Sequence, residues 1–464
     1  RSNADMQEHI QLDQKEINRD LLSGVLGTPK WWIGAVIVLS LVFLSGVGAF
    51  GYMLNQGLGV TGLNRPVFWG IYITNFVFWI GISHAGIMIS AILRLTQAEW
   101  RRPVTRAAEV LTVFSLTAAL MAAPLVHVGR PWRAFMWVFP YDFARGVWPN
   151  IRSPFIWDPS AVGTYLTASI LFVFVALLPD LAVIRDRATG KWARFIYSQL
   201  CLGWRGTPRQ WKLQAVAGIL LSALVLPVFV SVHSIVSWDF AVNIGVEGWH
   251  STIFAPYFII GAIHSGVAAV AMFMALMVWL WKWDRFLRPD HFDAIGRLLI
   301  IVGTTWFFFF FLEFIFALYT MERPEIVLRE LQVLEWPYMF LFTVFLMTAY
   351  FIPVPLWMFK KVRRNLKWMF WTTLSVNVGM FLERFLIIIP SLARKTPFAF
   401  DWGSYHPSII EILMVAATFA WVALGLLFFS KFFPLIPLFD IKEGMVVRDE
   451  VKIGRRTVPA TIRE

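Results

Sequence analysis

Ten apolar runs, each long enough for a membrane-spanning helix, alternate with short polar stretches along the chain: 31–53, 68–93, 106–127, 160–183, 212–235, 253–281, 298–319, 336–359, 367–391 and 408–431. A bilayer core about 30 Å thick needs roughly 20 apolar residues of helix. In lipid the helix also satisfies its own backbone hydrogen bonds. The runs are too long, and alternate too little, for the strands of a porin-like barrel. The pattern therefore predicts an all-α polytopic membrane protein with about ten transmembrane helices. A hydrophobic fraction of 58% and a mean hydropathy of +0.64 agree with that count.

Charge gives the layout a direction. Of the 41 Lys and Arg, 31 fall in the stretches 1–30, 94–106, 185–212, 282–297, 360–367 and 431–464, 9 fall in the loops between them, and Arg384 lies within a run. Basic residues concentrate on the cytoplasmic side of a membrane protein, so both termini are expected in the cytoplasm. The net charge of +12 reads as a topological address and an attraction to anionic lipid, with no reason to propose nucleic-acid binding. The first apolar run follows 30 mostly polar residues and is long enough to span, so a retained anchor is expected rather than a cleaved signal peptide. Cys201 is the single cysteine, which excludes a cysteine-held iron-sulfur cluster, a cysteine-based zinc site and an internal disulfide. The chain carries no Walker loop and no dinucleotide fingerprint after a strand.

A pattern in the second run recurs in the sixth. Ile80-Gly81-Ile82-Ser83-His84-Ala85-Gly86 lines up with Ile260-Gly261-Ala262-Ile263-His264-Ser265-Gly266, and Gly129-Arg130-Pro131 is echoed by Glu322-Arg323-Pro324. Runs two to five and six to nine thus read as two four-helix bundles flanked by runs one and ten. Each bundle has an even number of crossings, so both copies enter from the same side and form a parallel repeat. The expected division is a cytoplasmic segment 1–30, a first helix with its outer loop 31–67, bundles 68–235 and 236–391, a last helix 392–431 and a cytoplasmic tail 432–464. The small residues beside each repeated His suit close helix packing.

Candidate chemistry lies in two places. His127 and Arg130 close the third run at its outer end, and Asp158 opens the fourth beside Pro159. Antiparallel neighbours would bring an imidazole, a guanidinium and a carboxylate to one depth. A quinone fits such a site, because its ring needs apolar walls and its two oxygens need partners that exchange protons. The bland alternatives are an N-cap for Asp158, a loop contact for His127 and a lipid anchor for Arg130. Within the runs, His84, His233, His264, Glu313, Glu383 and Arg384 are costly in lipid and ask for a reason, either a proton relay or pairing such as Glu313 with Arg384. Glu411 reads as half of a capping box with Ser408. The histidines are scattered one per helix and lack the same-helix pairs that usually hold a haem.

The residues His127 to Pro131, Asp158, Ser237-Trp238-Asp239-Phe240, Gly248 to Phe258, the two IGxxHxG copies and Asn377 to Phe385 together resemble the NrfD/PsrC family of membrane quinone subunits, and within it most closely the ActC type of bacterial alternative complex III. The resemblance covers nearly all of 31–431. It implies a menaquinol-oxidising subunit of the bacterial cytoplasmic membrane with no haem or cluster of its own. The implied partners are an extracytoplasmic iron-sulfur subunit, c-type cytochrome subunits, other membrane subunits including a paralogous NrfD-like one, and lipid. It also implies that His127 and Asp158 border the quinol headgroup with Arg130 nearby. A secondary transporter and a structural, ActF-like anchor are the rival readings; the parallel repeat and the lack of matched Gly/Pro-broken helices weigh against the transporter.

Overall fold

A computed structural model describes residues 14–128, 141–152, 156–393, 405–446, 448–453 and 456–461. In chain order its helices are α1 (Gln14–Leu26), α2 (Lys30–Gln56), α3 (Gly70–Leu95), α4 (Thr105–Val128), α5 (Trp157–Arg187), α6 (Lys191–Leu200), α7 (Pro208–Trp238), α8 (Phe254–Trp281), α9 (Pro289–Thr320), α10 (Arg323–Leu334), α11 (Tyr338–Leu346), α12 (Pro353–Met358), α13 (Lys360–Arg363), α14 (Leu366–Ala393), α15 (Ile409–Phe432) and α16 (Leu438–Val446). An antiparallel hairpin of β1 (Arg448–Ile453) and β2 (Arg456–Thr461) follows in the tail, where the hydrophobic pattern predicts no strand. Among the described residues, nine helical stretches are long and apolar enough to cross a membrane. The remaining expected run, 106–127, forms α4, which lies along α3. The chain is a polytopic all-α membrane protein.

Burial separates central from peripheral helices. The most apolar 18-residue window of α3 is 94% buried and that of α8 72%, whereas that of α9 is 33% buried. On α9, Ile301, Phe308, Ile315 and Phe316 face outward, and on α2 Ile37, Val38, Leu41 and Leu44 do so. Apolar outer faces on this scale suit lipid rather than water. α3 packs against α4 and α7, and α5 against α7 and α4; α8 packs against α9 and α14, α11 against α14, and α12 against α9. α3 and α8 meet each other, and each also reaches into the opposite set, α3 on α14 and α8 on α7 and α4. α2 and α15 pair at the side, where a Cβ on Gly46 would lie 2.2 Å from the Cβ of Ala417.

Of the repeated glycines, Gly81 and Gly266 sit at the central crossing of α3 and α8, while Gly86 packs on α4. A Cβ on Gly266 would lie 2.1 Å from the Ala85 Cβ and 3.1 Å from the Ile82 carbonyl oxygen, so the two helices approach more closely there than any side chain allows. In lipid, where apolar surface is not driven out of solvent, such close backbone packing carries helix association. Gly266→Val is therefore expected to cost about 1–3 kcal/mol through overpacking. Thermal unfolding in detergent checks this against Gly48→Ala, where nothing lies within 4 Å; equal melting temperatures for the two variants would contradict the close crossing.

The run 336–359 is not one helix. A π-helical turn, Met347–Phe351, separates α11 from α12. Pro353 has no N–H to offer the carbonyl four residues back, which belongs to Ala349. That carbonyl instead accepts from His264 Nε2 at 3.1 Å, a contact that requires the proton on Nε2. The break thus binds α8 to the α11–α12 segment at a residue of the repeated motif.

Candidate functional site

α5 begins at Trp157, so Asp158 lies inside the first turn and not at the N-cap, a position held by Ile156 without a side-chain bond. Its carboxylate is buried, 1% exposed, where the unpaired N–H groups of the helix start favour negative charge. α4 and α5 pack on each other. His127 lies in the last turn of α4, but its side chain falls outside the described residues, as does all of Arg130.

A dense polar centre lies between α8, α9 and α14. Glu383 Oε2 takes Arg384 Nη1 at 2.5 Å, while Oε1 accepts from Trp306 Nε1 at 2.9 Å and from the Tyr257 hydroxyl. Arg384 lies over the Phe258 ring at 4.4 Å, and a Cβ on Gly261 would come within 2.9 Å of its guanidinium, so the repeated glycine makes room for the charge. Glu383 and Arg384 are 1% and 2% exposed. Each charge is thus paired and hydrogen-bonded, the condition under which burial is tolerated.

The pairing of Glu313 with Arg384 does not occur. Glu313 accepts from Ser251 Oγ at 2.5 Å and lies 3.9 Å from Arg329 on α10. Burial pushes the Arg329 guanidinium down from its ordinary value, and the nearby Glu313 carboxylate opposes that shift. Arg329 also covers the Phe314 ring at 4.4 Å. Between the two carboxylates lies a cavity whose walls include Phe254, Tyr257, Phe310 and Gln332, with about 30 Å³ open to the centres of water molecules. That is room for about two waters, at roughly 10–15 Å³ each.

The histidines separate into two settings. His84 stacks on Tyr165 at 4.5 Å with rings parallel within 1°, directs Nδ1 to the Ile80 carbonyl at 2.5 Å, and lies 4.8 Å from the His233 ring. His233 in turn faces Phe258 at 6.4 Å, the ring that carries Arg384. His264 stacks on Trp306 at 5.6 Å, whose indole N–H holds Glu383. The six intramembrane residues expected as a relay therefore fall into one connected interior region for His84, His233, His264, Glu383 and Arg384, with Glu313 across the small cavity.

Sequence reasoning missed four groups. Tyr257 and Trp306 are aromatic positions indistinguishable by pattern from core packing. Glu109 and Asp180, both 1% exposed, lie near helix ends, where charge ordinarily belongs to a loop. Their signal was their position just inside the apolar runs. Glu411 behaves as expected: its carboxylate closes the capping box on Ser408 N at 2.8 Å, and also holds Gly62 N at 2.7 Å and the Tyr405 hydroxyl at 2.7 Å.

The family model described as polysulphide reductase, NrfD, matches residues 59–395, well over half the chain. The chain belongs to the NrfD family. This NrfD chain is 28% identical over 294 residues to a putative dimethyl sulfoxide reductase membrane subunit of Halobacterium salinarum, an alignment covering 62% of the chain and 60% of that relative. It is 24% identical to the Hdr-like menaquinol oxidoreductase integral membrane subunit of Archaeoglobus fulgidus, across 88% of the chain and 95% of the relative. It is 22% identical to a selenate reductase subunit of Mesobacillus selenatarsenatis, across 87% and 93% respectively. The NrfD match includes both copies of the histidine motif, Asp158 and the Glu383–Arg384 pair.

Proposed function

We propose that this protein is the quinol-oxidising membrane subunit of a respiratory or photosynthetic electron-transfer complex, acting on menaquinol. The observation that carries the reading is the alignment with 95% of a relative named as a menaquinol oxidoreductase membrane subunit. A buried carboxylate at the outer start of α5 supports it. His127, Arg130 and Asp158 border the quinol headgroup in this reading. Oxidation releases two electrons and two protons from the two hydroxyls. Asp158 and His127 take the protons, a role suited to a carboxylate and an imidazole held at hydrogen-bond reach. With one cysteine and scattered histidines, the chain is read as carrying no cluster or haem of its own. The electrons leave to an extracytoplasmic iron-sulfur subunit and onward to c-type cytochromes, the arrangement of alternative complex III.

The bundles 68–235 and 236–391 form the parallel repeat in this reading, and the interior groups His84, His233, His264, Glu313, Glu383 and Arg384 form a proton route separate from the quinol pocket. Both termini lie on the cytoplasmic side, following the distribution of Lys and Arg. The decisive experiment is the quinone content of the purified complex together with oxidation of a menaquinol analogue. The expected result is quinone bound in stoichiometric amount and turnover with an added acceptor. A transporter or a structural anchor would hold no stoichiometric quinone and show no turnover.

A further inference from the structure

Buried charge that the quinol reading leaves unused lies at the far ends of α4 and α5 from His127 and Asp158. Arg106, Glu109 and Asp180 are each 1% exposed. Arg106 Nη2 is 3.2 Å from Asp180 Oδ2, and its Nε is 3.8 Å from Glu109 Oε2. Ser90 Oγ on α3 donates to Glu109 Oε1 at 2.5 Å. Two carboxylates share Arg106, with Arg94 also near Glu109 and Lys442 near Asp180, and Glu109 Oε2 and Asp180 Oδ1 are left without a hydrogen-bond partner among the described residues, oxygens that a purely structural ion pair would ordinarily satisfy.

The group has an opening. Asp180 lines a cavity with about 320 Å³ open to the centres of water molecules, between the end of α5, the loop before α7 and α16. Arg185, Asp186, Arg205 and Lys442 are the other charged walls. Burial and nearby Arg187 pull the Lys442 ammonium down, and Asp180 opposes them. Phe439 of α16 stacks on Trp211 at 3.9 Å and roofs the space, and the neighbouring Asp440 is held by Arg101 at 3.5 Å. By the distribution of Lys and Arg this face is cytoplasmic.

The polar seam continues inward. Glu109 Oε2, Arg106 Nε, Ser115 Oγ and His84 Nε2 are buried with no hydrogen-bond partner among the described residues. Buried polar atoms in that state are ordinarily met by internal water. Thr112 Oγ1 accepts from the backbone N–H of Ile87, between Ser90 and His84 along α3.

We propose that Asp180 and Glu109 are a proton-intake relay: a proton from water in the cavity beneath α16 binds Asp180, passes to Glu109 and leaves toward His84. Only protons move, from water to carboxylate oxygen and on to the next oxygen or nitrogen, with no electron transferred. Arg106 positions the two carboxylates and keeps its own protons. The relay deepens the proposed function, supplying the cytoplasmic entrance of its proton route.

The test uses the whole complex in liposomes, with quinol oxidation and pH on both faces followed together. Asp180→Asn and Glu109→Gln are expected to keep quinol oxidation in the presence of an uncoupler and to lose proton uptake from the cavity face. Unchanged uptake in a stable variant overturns the proposal. Because either variant can fail to assemble, the native complex is also treated with a water-soluble carbodiimide and mapped by mass spectrometry. Modification of Asp180 is expected; a carboxyl inert to the reagent is a dry ion pair, and the relay falls. Failure of the quinol reading shows separately, as absent quinol oxidation in the unaltered complex, and leaves the labelling result intact.

Discussion

Asp158→Asn is expected to lower quinol oxidation by about 10²- to 10⁴-fold, the usual contribution of a positioned acid–base group, while the complex still assembles. Magnitudes separate this from a structural role. Asp158 lies in the first turn of α5, where a carboxylate's interaction with the helix start contributes about 0.3–1 kcal/mol, and up to about 2 kcal/mol when partly buried. Asn keeps the shape and a hydrogen-bonding oxygen, so the loss of fold stability is small beside the loss of rate. Turnover of a menaquinol analogue across pH checks it. A variant with the normal rate and pH profile would leave the carboxylate only its role at the helix start.

Arg384→Met is expected to destabilise the protein by about 3–5 kcal/mol, the cost of stranding a buried charge, against a total stability of only about 5–15 kcal/mol for a typical domain. Glu383 would keep Tyr257 and Trp306 as donors but lose its counter-charge. Glu383→Gln combined with Arg384→Met is expected to recover much of the loss, because neither remaining group is then charged. Thermal unfolding in detergent reads both. Full stability of Arg384→Met alone would mean that Glu383 is already protonated in the folded protein. Glu313→Gln makes the contrast: its contacts are Ser251 and, at 3.9 Å, Arg329. It is expected to stay folded and oxidise quinol while moving fewer protons. An unchanged proton yield in that variant removes Glu313 from the route.

The membrane helices, the family and the central histidine motif were all legible along the chain. The reason is that the bilayer imposes its constraint locally: each spanning segment must be apolar and satisfy its own backbone, whatever its neighbours are. Even the close crossing of α3 and α8 left a trace, as small residues beside His84 and His264. The lateral partners of the buried charges were a different matter. Arg384 pairs with its chain neighbour Glu383 and not with Glu313. Adjacent residues on a helix point about 100° apart, so nothing in the spacing suggests that contact; Gly261 and Phe258 on α8 create the space and the surface that allow it. Likewise Asp180 on α5 looks like a loop charge until α5 packs on α4 and brings it to Arg106, whereas Glu109 faces Arg106 across one turn of the same helix. Which segments cross the membrane is written in each segment's own composition; which charges meet across helices depends on packing, because Arg106 and Asp180 come together from distant parts of the chain.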